Sequence, residues 1–294
     1  MRRPDSTAAD SQIRMVFRSF LRHRAAVVSL AFLGIAILCA ALAPVLMPYD
    51  PIEIDLAATG YRGKPAAPGD GHILGTDDFG RDILSRILSG SRISLSIGFL
   101  ATGISLTIGV CLGCVSGYFG GWLDSTIMRV IDFFLSIPSF FFILLISAVL
   151  PPNIFNIMIV IGVFGWMSVA RLVRGVFLSM REDEFTLAAK AIGVSETRMI
   201  VRHLLPNAVA PIIVSATLSV PRAILTESSL SFLGFGVAPP AASWGSMLNL
   251  AKPWLTTAWW MWVPAGLAIS LTVLSFNFVG DGLRDALDPL QHRR

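Results

Sequence analysis

Charged residues are scarce in this chain, and their scarcity is the first guide to its class. Only 14% of the 294 residues are Asp, Glu, Lys or Arg, whereas 54% are hydrophobic and the mean hydropathy is +0.70. Soluble domains carry about 25% charged residues. The composition therefore excludes an ordinary soluble domain and predicts a protein that crosses a membrane several times.

The sequence also lacks the surface of a nucleic-acid-binding protein. Its net charge is +4 and its isoelectric point is about 9.3. However, the cations cluster at the edges of apolar runs and do not form a basic surface with interleaved aromatic residues. We therefore expect this chain to contact membrane lipid and no nucleic acid.

Enzyme motifs are missing as well. The sequence has no G-x-x-x-x-G-K-[ST] phosphate-binding loop, so the chain is not expected to hydrolyse ATP. The serines at 226–231 have no His and Asp arrangement around them, and the four histidines are scattered. Cys111 and Cys114 have redox or metal spacing, but they lie in an apolar run without a His or acidic neighbour. We expect them to be packing residues and expect no catalytic residue.

A group of carboxylates precedes the second apolar run. Asp77, Asp78 and Asp82 are close enough in sequence to bind a cation. The favoured alternative is structural: Asp77 or Asp78 caps a helix that begins close by, and Asp82 pairs with Arg81 or Arg86. We therefore predict no metal site in this segment.

Long apolar runs dominate the rest of the sequence. A helix needs roughly 20 apolar residues to cross the hydrocarbon core of a bilayer. Six runs have about this length, and Pro138 interrupts the third. The sequence therefore predicts an all-α, polytopic bundle of about six transmembrane helices, at 25–47, 93–117, 128–150, 154–178, 208–233 and 259–279.

The distribution of Lys and Arg predicts the orientation of these helices. Six arginines lie in the N-terminal tail, and three lie near the C-terminus. Short loops rich in Lys and Arg stay on the cytoplasmic side, so both termini are expected there. The predicted organisation is a cytoplasmic tail (1–24), a first span (25–47), an extracytoplasmic segment (48–92), a five-helix core (93–280) with a cytoplasmic loop (182–206), and a cytoplasmic tail (281–294).

One segment between the apolar runs is charged: EDEFTLAAKAIGVSETRMIVRHLLPN, residues 182–207. It is predicted to form two short helices with a bend. Gly193 suits the left-handed conformation that ends the first helix, and Pro206 is expected to end the second. The segment could be an amphipathic connector at the membrane interface. It could equally be a docking element, in which the small side chains of Ala188 and Ala189 allow another protein to approach closely.

Two charges lie inside the fifth apolar run. Arg222 and Glu227 are five residues apart, so they point to different faces of a helix. Charges in a membrane mark an aqueous path or a subunit interface. An ion pair that fixes helix packing is favoured over direct solute contact. Arg171 and Arg174, near the end of the fourth run, are expected to be anchors whose charged ends reach the interface.

Several motifs resemble one family of bacterial transport proteins. Ala188-Ala189, Gly193 and Leu205-Pro206 have the spacing of the EAA loop of ABC-importer permeases. Leu187 stands where that loop usually has glutamate, and Glu184 is a candidate substitute. The segments HILGTDDFGRDILSRILSGSRISL (72–95), AILTESSLSFLGFG (223–236) and FNFVGDGLRDALDP (276–289) resemble the C-type permease of the dipeptide/oligopeptide/nickel family.

The resemblance implies a type I importer permease fold in the bacterial inner membrane. It implies a second permease subunit, two ATPase chains that bind ATP and Mg²⁺, an extracytoplasmic solute-binding protein, and no cofactor in this chain. Peptides or related small solutes would cross between the permeases. A self-sufficient secondary transporter or channel is the alternative. The resemblance assigns ATPase coupling to loop 182–206, through Glu184, Leu187, Ala188, Ala189, Gly193, Arg198, Leu205 and Pro206.

Overall fold

A computed structural model describes residues 15–55, 63–69 and 71–287, and most of these residues are helical. Within that part, one isolated bridge between Thr76 and Asp82 is the only strand-like pairing. Residues 15–22 are helical. The helices that follow are α1 (Arg24–Ala41), α2 (Ala43–Leu46), α3 (Ile83–Phe119), α4 (Gly121–Leu135), α5 (Ser139–Val149), α6 (Ile154–Arg181), α7 (Glu184–Ala191), α8 (Glu196–Arg198), a π-helix (Met199–Leu204), α9 (Leu205–Phe232), α10 (Trp244–Leu250), a 3₁₀ turn (Lys252–Trp254) and α11 (Trp259–Leu287).

Five helical segments are long and apolar enough to cross a membrane: α1, α3, α6, the continuous segment from α8 to α9, and α11. The pair α4 and α5 makes a sixth span if it is counted as one, although its two halves are bent by 77°. Pro138 lies at this bend as the N-cap of α5, where its missing N–H costs no helical hydrogen bond. The prediction of about six spans in an all-α bundle is confirmed.

Helices α3 and α6 form the most intimate pair, because α3 presents a stripe of glycines. A Cβ atom added to Gly109 or Gly113 would lie 2.6 or 2.7 Å from the Cβ of Val169 or Val173. The third glycine of the stripe, Gly117, meets Phe177 in the same way, at 2.6 Å. Small residues spaced by four let two helix backbones approach closely in a membrane, where packing drives association. The pair therefore forms a rigid centre for the bundle.

The described part of the segment before α3 is held together by a polar network, and two predictions about it are wrong. Helix α3 begins at Ile83, and its N-cap is Asp82, which accepts a hydrogen bond from the backbone N–H of Ser85. Neither Asp77 nor Asp78 caps it. Asp82 also bonds His72 Nδ1 at 3.0 Å and does not pair with either arginine.

The arginines of this network pair instead with Asp77. Its Oδ2 lies 2.8 Å from Arg81 Nε and 3.5 Å from Arg86 Nε. Burial, with the neighbouring charge of Asp77 as the second cause, raises the pKa of Asp78 above its usual value. Among the described residues, no group of three His, Cys, Asp or Glu is arranged to hold a metal ion. The carboxylates of this segment therefore organise the chain that leads into α3.

Two arginines of α6, which the sequence predicts to be interfacial anchors, form ion pairs with carboxylates of α4. Arg174 makes a two-pronged contact with Asp124, with Nε–Oδ1 and Nη2–Oδ2 distances of 2.5 and 2.6 Å. Arg171 hydrogen-bonds Asp132, which lies about two turns after Asp124 on α4. Planar guanidinium and carboxylate groups fit each other in this geometry. These pairs fix the direction in which α4 leaves α3.

Candidate coupling loop and membrane cavity

Helix α7 has one face turned outward and one turned to the bundle. Glu184, Leu187, Ala188 and Ala191 follow the i, i+3, i+4, i+7 spacing of a single helical face, and all four are exposed. Leu187 keeps 54% of its surface accessible. An apolar and small-residue surface of this kind, at the end of a membrane bundle, suits contact with another protein.

The opposite face of α7 is fixed to the bundle. Thr186 is fully buried and donates a hydrogen bond from Oγ1 to the carbonyl oxygen of Met180, at 2.8 Å. Ala189 is half-buried against the hydrophobic cluster that contains Phe177. Lys190 Nζ lies 5.2 Å from the centre of the Tyr118 ring. The two alanines therefore have different roles, since Ala188 is presented outward and Ala189 packs inward.

Gly193 ends α7 in the conformation expected from the sequence. Its φ is +80°, a region that residues with a Cβ atom disfavour. The backbone N–H of Gly193 donates to Lys190, and the N–H of Val194 donates to Ala189. This is the Schellman pattern, in which the residues at its two ends also pack together. Val194 and Ala189 both lie against the same hydrophobic cluster, so the bend is firmly held.

The second half of the loop leads into the fifth span without a break, so Pro206 does not end a helix as expected. Helix α8, the π-helix and α9 run continuously from Glu196 to Phe232 over 37 residues. Pro206 lies in the first turn of α9, directly after the π-helix, where a residue without an N–H is tolerated. At about 1.5 Å per residue, the rod is about 55 Å long. The loop and the fifth span therefore form one continuous helical segment.

The remaining residues assigned to the loop fall on both of its sides. Arg198 and Pro206 are exposed, whereas Leu205 packs against the hydrophobic cluster next to the buried Leu204. The structure thus brings Glu184, Leu187 and Ala188 together on the outward face. It places Ala189, Gly193 and Leu205 where they hold that face in position.

Arg222 faces a cavity between the spans. The cavity has a volume of about 420 Å³, and the side chain of Arg222 is exposed within its lining. Four of its polar residues come from a single face of α9, with spacings of four, three and four. Hydroxyl groups of α3, α5 and α6 complete the lining. The polar lining residues are Thr102, Ser105, Ser139, Ser168, Ser215, Ser219, Arg222 and Thr226.

Glu227 lies on another face of the same helix and makes no ion pair within the described residues, contrary to the favoured expectation. It is fully buried, and its Oε1 accepts hydrogen bonds from the hydroxyls of Ser231 and Ser243, both at 2.6 Å. Ser243 is the N-cap of α10. Glu227 therefore connects the C-terminal half of α9 to α10.

The fifth apolar run of the sequence carries a signal for this cavity. Ser215, Ser219, Arg222 and Thr226 repeat at helical spacing in an otherwise apolar run, which marks a polar stripe. The Glu227 contact with Ser243 had no such signal, because 16 residues and a loop separate the two. The ion pairs of Arg171 and Arg174 with α4 also had no signal in the sequence, because the paired residues are far apart along the chain.

Comparison with known proteins agrees with this architecture. The family described as "Binding-protein-dependent transport system inner membrane component" matches residues 109–293, and the "N-terminal TM domain of oligopeptide transport permease C" matches residues 11–65. The chain is 41% identical to the dipeptide transport system permease protein DppC of Alkalihalophilus pseudofirmus, over 97% of this chain and 92% of that protein. It is 42% identical to the oligopeptide transport system permease protein OppC of Bacillus subtilis, over 92% and 87%. It is also 42% identical to OppC of Mycobacterium bovis, over 95% of each chain. The chain therefore belongs to the family of inner-membrane components of binding-protein-dependent transport systems, as a multi-pass membrane permease.

Proposed function

We propose that this chain is one of two permease subunits of an ATP-driven peptide importer, and that loop 182–206 receives a separate ATPase. The observation that carries the coupling role is the outward face of α7. It combines the apolar and small side chains of Leu187, Ala188 and Ala191 with the carboxylate of Glu184. It stands on a bend that is held from behind by Thr186, Gly193 and the hydrophobic cluster. Relatives named as dipeptide and oligopeptide permeases support peptides as the solute.

The geometry supplies a path for mechanical coupling. An ATPase that closes on ATP would move the outward face of α7. Because Thr186 ties α7 to α6 and the π-helix joins the loop to α9, the motion would shift both spans. Arg222 and the hydroxyl-lined cavity belong to these spans. The same displacement would therefore change access to the cavity from one side of the membrane to the other.

The partners follow from this mechanism. ATP and Mg²⁺ would bind to two ATPase chains, since this sequence has no G-x-x-x-x-G-K-[ST] phosphate-binding loop. A second permease would supply the other half of the path, and an extracytoplasmic binding protein would deliver the solute. The excess of arginine in the N-terminal tail supports a cytoplasmic position for both termini and for loop 182–206.

Reconstitution in liposomes tests the proposal. The complete importer is expected to accumulate a labelled peptide only with ATP inside and binding protein outside. Ala188→Trp is expected to lower the rate at least tenfold, because a bulky side chain would separate the two surfaces. Ser179→Trp is the matched control, at an exposed position in the last turns of α6, and it should retain most of the activity.

The alternative of a self-sufficient transporter makes the opposite prediction. The permease chain alone would then move peptide along an ion gradient, without ATPase chains. That result, or full ATP-dependent uptake by Ala188→Trp, would overturn the proposed coupling role.

A further inference from the structure

Among the described residues, Arg222 is a cation within a membrane span that has no ion-pair partner. At about 1.5 Å per residue it lies about 15 Å from the outer end of α9 at Phe232. No carboxylate of the described residues forms a salt bridge with it. The nearest acid on the same helix, Glu227, is engaged with Ser231 and Ser243 on another face. A charge at this depth is costly unless water or an anion accompanies it.

None of the described residues that line the cavity around Arg222 carries a negative charge. Its lining consists of hydroxyl, apolar and glycine residues together with this one arginine. Low-dielectric walls strengthen the field of a single cation within a cavity. The cavity therefore favours an anionic group over a neutral or cationic one.

The hydroxyls of the lining complete the chemical pattern. Ser105 donates to the carbonyl of Gly162, and Thr226 donates to the carbonyl of Arg222, both at 2.8 Å. Ser219 donates in the same way to Ser215, at 2.7 Å. Because their protons are used, these hydroxyls offer lone pairs as acceptors. The cavity thus combines one cation for a carboxylate with several acceptors for N–H groups.

We propose that Arg222 contacts the solute and takes its carboxylate as the solute passes through this cavity. The proposal rests on the proposed function, because a peptide carries both a terminal carboxylate and backbone N–H groups. A volume of about 420 Å³ lies in the range of small-ligand sites. Arg222 would then make the membrane path itself selective, in addition to any selection by the binding protein.

The experiment compares a peptide with its C-terminal amide in the complete reconstituted importer. Both uptake rates are measured for the unaltered chain and for Arg222→Gln, and the acid-to-amide ratio is calculated for each. Selection by the binding protein cancels when the two ratios are compared. Arg222→Gln is expected to lower the ratio about tenfold, the size expected for one charge-assisted hydrogen bond in a partly hydrated site.

Two further variants sharpen the result. Arg222→Lys keeps the charge but loses the planar fork, so it should lower the ratio about threefold. Arg92→Gln is the matched control: it removes an exposed arginine of α3 that does not line the cavity, and it should leave the ratio unchanged.

The outcomes separate this inference from the proposed function. An equal loss of acid and amide uptake in Arg222→Gln, complete loss included, overturns the inference and points to an ion pair with the partner permease. An unchanged ratio in both Arg222 variants also overturns it, while peptide import stands. If the unaltered importer carries neither compound, the proposed peptide function fails, and the role of Arg222 fails with it.

Discussion

Replacing Glu227 tests whether this buried carboxyl acts through its hydrogen bonds. Glu227→Ala removes the acceptor of two buried hydroxyls, those of Ser231 and Ser243. Each orphaned hydroxyl costs about 1–3 kcal/mol, and hydrogen bonds within membranes fall toward the lower end of such ranges. The free energy of unfolding should therefore fall by about 2–5 kcal/mol. At about 2–4 °C per kcal/mol, the melting temperature should drop by about 4–20 °C.

Glu227→Gln is the decisive companion variant. The Gln side chain keeps one acceptor oxygen for both serines. Its amide group can also donate to the hydroxyl of Ser228, which makes no hydrogen bond within the described residues. We expect stability within about 1 kcal/mol of the unaltered chain. The assay is thermal unfolding of the purified permease pair in detergent, followed by uptake in liposomes. If Gln destabilises as much as Ala, the negative charge is what matters, and the reasoning from hydrogen bonds is refuted.

Three further predictions concern the loop and the helix pairs. Gly193→Ala should destabilise the bend by about 1–2 kcal/mol because residue 193 has a positive φ, and amide hydrogen exchange in α7 should become faster. Gly175→Ala is the control, because Gly175 has open space around it, and it should leave the exchange in α7 unchanged. Gly113→Leu should prevent α3 from packing on α6 and abolish assembly with the partner permease, as judged by co-purification; normal assembly would contradict the packing argument. Arg174→Gln and Asp124→Asn should each lower the melting temperature, and the double variant should lose less than the sum of the two, whereas additive losses would show that the pair is not coupled.

The spans were predictable from the sequence, but their joins were not. The length of the apolar runs was enough to identify the membrane helices. Within lipid, a single short segment can make all of its backbone hydrogen bonds only as a helix. The same criterion placed the start of the second span at residue 93, whereas α3 begins at Ile83. Arg86 lies in the first ten residues of α3, and its charge predicts a position outside the membrane span. It is buried because Asp77 accompanies it, and such a contact has no trace in a hydropathy profile.

Features of the loop that depend on backbone conformation were predictable from the sequence, whereas features that depend on packing against other helices were not. The positive φ at residue 193 was predictable because glycine is the residue that adopts this conformation most readily. The separation of Ala188 from Ala189 depends on which face of α7 meets the hydrophobic cluster, and this requires the positions of α3 and α6. The continuity through Pro206 likewise depends on the π-helix before it, which has no reliable sequence signal.

Cross-linking from the outward face of α7 tests the central claim most directly. In the complete importer, with Cys39, Cys111 and Cys114 replaced by Ala, a photoreactive label is attached to Ala188→Cys or to the control Ser179→Cys. We expect the label at residue 188 to capture an ATPase chain and the label at residue 179 to capture none. Contact of the ATPase with residue 179 but not with residue 188, or with neither, would contradict the proposal that this face couples ATP hydrolysis to transport.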